Sequence, residues 1–207
     1  MYTPMSFAET DEKRIREFVR SHPFAQLTSF DGQEPVVSHL PLLLDQNAGD
    51  NGQLLGHLAK ANSQWKHADG TTVLAVFSGP HAYVSSSWYE TLKSVPTWNY
   101  TAVHVYGRLH VVDDAQRLEE IVEELVGLME ADQKKAWSMK DAGDDFISQL
   151  LRMVIGFTID IERIEAKFKL SQNHSKERRQ LVINALEERT DDDSQQIAAL
   201  MRSQLDD

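Results

Sequence analysis

The chain has 207 residues, of which 41% are hydrophobic and 26% charged, and this composition excludes low-complexity disorder. It has no cysteine, so disulfides and thiolate metal sites are excluded, and its formal net charge of −11 disfavours general nucleic-acid binding. The polar N-terminus has no signal-peptide pattern and no long apolar run follows, so we expect a cytoplasmic protein without a membrane span.

The first half of the chain predicts a helix followed by antiparallel strands. A helix over Asp11–Ser21 has the apolar stripe Ile15, Phe18 and Val19, and His22-Pro23 ends it. An Asp-Gly turn then predicts a hairpin between the first two strands. The expected elements are strands at Phe24–Phe30, Pro35–Leu44, Gln53–Leu58 and Thr71–Ser78, a short extended segment at Ala82–Ser85, and a turn or two of helix at Ala61–Ala68.

The second half is mostly helical in pattern. Its expected elements are a strand within Val95–Val112, helices at Asp113–Met129 and Phe146–Ile155, a strand at Phe157–Ile164, and helices at Lys176–Glu188 and Ser194–Leu205 around an acidic loop, Asp191–Asp193. Six or seven short strands with hairpin connections favour an antiparallel barrel or sandwich over a parallel sheet.

One segment concentrates groups that could bind a phosphate. Gly56–Trp65 (GHLAKANSQW) runs from a predicted strand into a short helix, where free N–H groups and the helix dipole favour anions. Its glycine would let the backbone pass close to a ligand. The same residues also suit an ordinary helix cap, so the pattern alone leaves a phosphate site and a structural turn both open.

Aromatic residues cluster in Phe77–Tyr89 (FSGPHAYVSSSWY) and Val95–Tyr100 (VPTWNY), and their polar tips suit a flat, partly polar heterocycle. Packing in a core or a subunit interface is the alternative. The eight histidines show no HxH, HxxxH or HExxH spacing, and no GxSxG, P-loop or GxGxxG motif occurs. We therefore predict no metal site and identify no catalytic residue.

Positive charge is concentrated in residues 163–179. A solvated surface and an anion site, on a ligand or on a partner, both fit this stretch. Its basic residues are Arg163, Lys167, Lys169, Lys176, Arg178 and Arg179.

Taken together, the motifs are more specific than any one of them. The chain resembles the PaiB family, the FMN-binding negative transcriptional regulators, which belong with the split-barrel flavoproteins that include pyridoxamine-phosphate oxidases. The matching stretches, in order, are MYTP, SHLP (Ser38–Pro41), GHLAKANSQW, FSGPHAYVSSSWY, VPTWNY followed by VHVYG, and KFKLSQN (Lys167–Asn173). The chain departs from the family pattern at Ser86, where proline is expected, and at Ala166, where glycine is expected.

The resemblance implies an α+β, mainly β fold: an antiparallel split β-barrel flanked by helices, with a helical C-terminal segment. Residues 1–174 would form the FMN-binding domain, and residues 175–207 would pack on the barrel or on the partner of a homodimer. The FMN would lie at the subunit interface. The residues implied to bind it are Ser38, His39, His57, Lys60, Asn62 and Gln64 at the phosphate end, Thr97, Trp98, Asn99 and Tyr100 from the partner subunit, and Lys169, Ser171 and Gln172 closing the site.

Three functions are open from the sequence. A flavin-binding repressor of transcription is the first, with weak or indirect DNA contact, because the last predicted helix has a single arginine, Arg202. The second is an FMN-dependent oxidoreductase or flavin reductase, for which no general base is identifiable. The third is a homologue that has lost flavin and binds another anionic ligand.

Overall fold

The computed structural model describes residues 1–90 and 93–206. The helices are α1 Glu12–Ser21, α2 Gln64–Ala68, α3 Ala115–Glu130, α4 Met139–Ala142, α5 Asp144–Leu151, α6 Lys176–Glu187 and α7 Asp192–Asp206, with 3-10 turns at Met5–Phe7 and Ser86–Trp88. The strands are β1 Ala8–Glu9, β2 Phe24–Phe30, β3 Pro35–Pro41, β4 Leu43–Asp45, β5 Gln53–Ala59, β6 Thr72–Val84, β7 Thr97–Val112 and β8 Val154–Lys169.

The strands form one eight-stranded sheet in the order β3-β2-β6-β7-β8-β5-β4, with β1 paired to β8. The β2–β3 hairpin is antiparallel and pairs Leu27 with Ser38. β5 is antiparallel to both β4 and β8, and Gly56 faces Phe157 in the latter pair. The prediction of an antiparallel, mainly β fold with flanking helices is confirmed.

Local sequence signals located most elements. The stripe predicted for α1 is buried, with Val19 only 1% exposed, because its spacing places the apolar side chains on one face. Asp114 caps α3 by accepting a hydrogen bond from the Arg117 N–H at 2.7 Å.

Several boundaries differ from the prediction, and the strand predicted over Pro35–Leu44 is two strands, β3 and β4. The helix expected over Phe146–Ile155 ends at Leu151, because Val154 pairs with Ala59 and begins β8. Thr72–Val84 is one strand and is not interrupted near Gly79. The acidic loop is also shorter than expected: α7 begins at Asp192, where carboxylates favour the helix dipole.

The chain divides into two compact units. The first comprises Met1–Phe18, Ser78–Val103 and Glu165–Asp207, and we call it the terminal unit. The second comprises Val19–Phe77 and His104–Ile164, and we call it the central unit. The boundary predicted between residues 174 and 175 stays a prediction.

Each unit has its own buried apolar cluster. In the central unit, Leu55, Ile121 and Leu125 pack together. In the terminal unit, the rings of Phe18 and Phe168 lie 5.2 Å apart. Within the described ranges, no helix is long and apolar enough to cross a membrane.

Candidate functional site

The turn after β5 is fixed by amide side chains. The Asn62 side-chain amide donates to the Ser38 hydroxyl at 2.8 Å, and its carbonyl oxygen accepts from the Gln64 backbone N–H at 3.0 Å. The Asn62 backbone N–H in turn donates to the Ala59 carbonyl at 2.9 Å. The turn is therefore tied directly to the middle of β3, and this brings together three of the residues predicted for the phosphate end.

Gln64 has a structural role in this turn. It is 1% exposed, and its side-chain nitrogen donates to two backbone carbonyls, of Leu27 at 3.0 Å and of Val36 at 3.2 Å. The same nitrogen donates to the Ser29 hydroxyl at 3.1 Å. Because this amide is committed to the β2–β3 hairpin, it clamps α2 onto the sheet.

Lys60 is the exposed cation at this turn. Its backbone is held by the Met153 carbonyl, which accepts from the Lys60 N–H at 2.9 Å, and the Trp65 indole donates to the Lys60 carbonyl at 3.2 Å. Among the described residues, the Lys60 ammonium forms no ion pair. Lys60 and Trp65 also line a cavity of about 630 Å³ whose other charged lining residues are Asp113, Glu119 and Arg152.

Three further residues of the predicted phosphate site lie in different surroundings: Gly56, His57 and His39. A side chain at Gly56 would meet Leu42 and Phe157 at 2.8 Å, so this glycine makes room for apolar packing and not for a ligand, contrary to expectation. His57 is half-buried, its Nδ1 lacks a hydrogen-bond partner, and burial lowers the pKa of its imidazole. His39 is exposed, with its ring 6.4 Å from that of Phe24.

A second polar network joins the start of β7 to the end of β8 in the terminal unit. Asn99 is fully buried, and its amide nitrogen donates to the Ser171 hydroxyl at 3.0 Å and to the Met201 sulfur at 3.3 Å. Ser171 has a positive φ of 62°. Gln172 bonds only to backbone nearby: its oxygen accepts from the Leu170 N–H and its nitrogen donates to the Phe168 carbonyl.

Lys169 lies beside this network with its ammonium directed at β7. It donates to the Trp98 carbonyl at 2.6 Å and to the Thr97 hydroxyl. Burial, and then the charge of Lys167, lower the pKa of Lys169. The Lys167 ammonium lies 5.2 Å from the centre of the Tyr100 ring. The late polar motif and the aromatic VPTWNY stretch therefore meet within one unit.

The structure thus sorts the predicted site residues into two groups. The residues from β3, β5 and the following turn belong to the central unit, and those from β7 and β8 belong to the terminal unit. Five of the predicted residues use their side chains for hydrogen bonds within the protein: Asn62, Gln64, Asn99, Ser171 and Gln172. Four others form no side-chain hydrogen bond with the described residues: Lys60, His39, His57 and Trp98.

The prediction left two titratable residues near Lys169 out of the candidate site. His174 and Arg178 line a cavity together with Lys169. Arg178 was visible as part of the positive stretch at residues 163–179. Nothing in the sequence pattern connects His174 to Lys169, because the turn that joins them depends on the positive φ of Ser171.

Both departures from the family pattern lie in regular structure. Ser86 begins a 3-10 turn that Ser85 caps by accepting from the Ser87 N–H at 3.2 Å. Ala166 is an extended residue of β8 that pairs with Glu9 of β1. Neither position requires the backbone freedom of glycine or the restriction of proline, so these substitutions do not disturb the two networks.

The fold and the site define a split-barrel flavoprotein. The family described as "Putative FMN-binding domain" matches residues 1–163. A Bacillus subtilis protein, the protease synthase and sporulation protein PAI 2, is 34% identical over 99% of this chain and 98% of its own length. The chain therefore belongs to the PaiB family of FMN-binding split-barrel proteins, and the prediction of FMN as its cofactor is confirmed.

Solved structures with low sequence identity share the fold. The flavocytochrome Anf3 from Azotobacter vinelandii aligns over 78% of this chain and 69% of its own, with a TM-score of 0.59 at 13% identity. An FAD- and haem-binding protein from Mycobacterium smegmatis aligns over 78% and 73%, with a TM-score of 0.56 at 13% identity. These likenesses confirm the split-barrel architecture.

The donor set of the central unit fits an FMN phosphate. Lys60 supplies an ammonium, Ser38 a hydroxyl and His39 an imidazole, and charge-assisted bonds of this kind are the ones phosphates form in proteins. The unpartnered Nδ1 of His57 is a further polar atom without a bond inside the chain. When bound, the flavin supplies electron-transfer chemistry, and the protein supplies its position and electrostatic surroundings.

Proposed function

We propose that this protein is a dimeric, flavin-binding regulator in which Lys60 holds the phosphate of FMN. The observation that carries the proposal is the Lys60 ammonium, which forms no ion pair among the described residues and lies on a turn fixed to β3 by Asn62. Because the backbone of Lys60 is already fixed, binding of an anion has to order only the lysine side chain. Ser38 and His39, on the adjoining strand, are the other candidate donors.

The proposed phosphate contact is tested by comparing two flavins. FMN and riboflavin differ only in the phosphate, so Lys60→Ala weakens FMN binding about tenfold and leaves riboflavin binding nearly unchanged. Quenching of flavin fluorescence on titration with protein measures both affinities. Lys135→Ala is the matched control, since Lys135 is an exposed lysine between α3 and α4.

Equal losses for both flavins in Lys60→Ala would refute the phosphate contact. A wild-type protein that binds neither flavin at micromolar concentration would refute the whole proposal. The visible spectrum of the purified protein, before and after addition of FMN, gives that second answer directly.

An exposed aromatic cluster supports the proposed dimer. Trp98 is 53% exposed and lies 5.8 Å from the Tyr83 ring and 5.9 Å from the His81 ring, and the nearby Val95 is 77% exposed. Aromatic clusters of this kind are enriched at protein interfaces. In sedimentation experiments, we expect wild type to be a dimer and Trp98→Glu to be a monomer. A wild type that sediments as a monomer at micromolar concentration would contradict it.

The regulatory role is carried over from the family and from the name of the Bacillus subtilis relative, which concerns protease synthesis and sporulation. We propose that it operates without direct reading of DNA by α7. The one arginine of α7, Arg202, pairs with Glu187, and the chain carries a net charge of −11. A gel-shift titration at low salt should show no specific shift, and a sequence-specific shift would overturn the indirect route.

A further inference from the structure

A cavity of about 420 Å³ lies within the terminal unit, between the segment before β7 and the turn after β8. Its volume falls within the range of small-molecule sites, roughly 300–1,000 Å³. Its described lining residues are Phe7, Lys93, Ser94, Val95, Thr97, Lys169, Ser171, Asn173, His174 and Arg178.

Positive charge dominates this cavity, although the whole chain is acidic. None of the described lining residues is a carboxylate, whereas Lys93, Lys169 and Arg178 are all cations. The hydrogen bonds of Lys169 go to a carbonyl and a hydroxyl, which orient its ammonium without neutralising it. Glu90, an exposed side chain outside the lining, forms an ion pair with Arg178 by accepting from its Nε at 3.0 Å.

The pKa values of two residues in this cavity reflect both their burial and the positive charge near them. The pKa of the His174 imidazole is lowered first by burial and then by the charges of Arg178 and Lys169. The pKa of Lys169 is lowered by burial and then by Lys167. Burial is the larger cause for both groups, and the neighbouring cations act in the same direction because like charges disfavour the protonated form.

The remaining lining offers both hydrogen bonds and apolar surface. The hydroxyls of Ser94 and Thr97 and the amide of Asn173 are short polar groups, and Phe7 and Val95 form an apolar wall. Arg178 uses Nε for Glu90, and its terminal nitrogens form no hydrogen bond with the described residues. A planar guanidinium with free terminal nitrogens suits a phosphate, which it can bind through two parallel bonds.

We infer that this cavity binds the phosphate group of a small organic ligand, through Lys169 and Arg178, and that this ligand is distinct from the bound flavin. The inference rests on the proposed function, because it takes the flavin phosphate to lie at Lys60. Lys169, which the family resemblance placed in the flavin site, then serves the second ligand. The protein would thus carry two anion sites, one in each unit.

The test is calorimetric titration of the full chain with inorganic pyrophosphate at low salt, with and without saturating FMN. With FMN saturating the Lys60 site, wild type should bind one pyrophosphate; without FMN, the Lys60 site is a second site for the same probe. Arg178→Gln should weaken binding roughly tenfold, because it removes one charge-assisted contact. The matched control is Lys176→Gln, which removes one charge from the same helix at an exposed position outside the cavity.

Two outcomes would overturn the inference: no binding of pyrophosphate at millimolar concentration when FMN is saturating, or equal affinities of Arg178→Gln and Lys176→Gln for pyrophosphate under that condition. Lys169→Gln is the second variant if circular dichroism shows that Arg178→Gln does not fold. The failure of the proposed function looks different: FMN would not bind, while pyrophosphate would still bind and still respond to Arg178→Gln.

Discussion

The turn after β5 and the junction of β7 with β8 are built from similar residues but hold their cations differently. In both, an amide and a serine are hydrogen-bonded to each other: Asn62 with Ser38, and Asn99 with Ser171. In the first, the cation Lys60 is exposed and its ammonium is not paired. In the second, Lys169 is partly buried and bonded to β7.

This difference separates scaffold residues from candidate ligand residues. Buried amides with several bonds stabilise the fold, because breaking such a bond leaves a polar group without a partner. Cations without carboxylate partners are the groups that remain available to an anion. Substitutions that test the comparison should therefore change stability at the amides and affinity at the cations.

The largest expected effect is at Asn99. Asn99→Leu should lower the free energy of unfolding by about 3 kcal/mol, because the Ser171 hydroxyl loses its buried amide partner. Urea denaturation measures the loss. The double variant Asn99→Leu/Ser171→Ala should be less destabilised than Asn99→Leu alone, since both polar partners are then absent. A double variant that is more destabilised would show that the bond is not the cause.

A smaller loss is expected at Gln64. Gln64→Leu should lower the free energy of unfolding by about 2 kcal/mol, because two backbone carbonyls of the β2–β3 hairpin lose a donor. The loss is smaller than at Asn99 because the Gln64 side-chain oxygen is itself buried without a partner, and leucine removes that cost. Gln26→Leu, an exposed glutamine on β2, is the control and should stay within about 0.5 kcal/mol of wild type. If Gln64→Leu and Gln26→Leu lower the free energy of unfolding equally, the Gln64 side chain does not hold α2 on the sheet.

The elements that the sequence predicted are those specified by local pattern. The stripe of α1, the cap of α3 and the β2–β3 hairpin each depend on residues a few positions apart. The short strand β1 was missed, and β4 was predicted only as the end of one strand over Pro35–Leu44, because so short a strand is defined by its pairing with another strand. The same dependence extended β8 back to Val154.

The sequence indicated which residues belong to the candidate site, but it did not show what each side chain contacts. The motifs indicated Lys60, Asn62, Asn99 and Lys169 as cofactor-binding residues of one site, and these residues lie in two compact units. The amides were expected to contact the cofactor, but Asn99 bonds to a residue 72 positions away and Gln64 to one 37 positions away. Whether an amide faces a ligand or a distant backbone depends on tertiary packing, which one sequence does not display.

The smallest expected effect is the pH dependence due to His57. Burial lowers the pKa of this imidazole below its ordinary value of 6.5, so the unfolded chain takes up the proton at a higher pH than the folded protein does. The stability that neutral His57 contributes is therefore complete above about pH 6.5 and is lost as the pH falls below that value.

The loss of stability on protonation of His57 is tested by measuring the urea midpoint of the flavin-free protein at pH 7.5 and pH 5.5. The midpoint should fall on acidification in wild type, and it should fall less in His57→Gln, which has no proton to take up. His67→Gln removes an exposed histidine of α2 and should behave like wild type. His174, whose pKa is also lowered, is present in all three proteins and cancels from the comparison. If His57→Gln and His67→Gln lose the same stability on acidification, burial does not disfavour protonation of His57, and the pH dependence assigned to this residue is wrong.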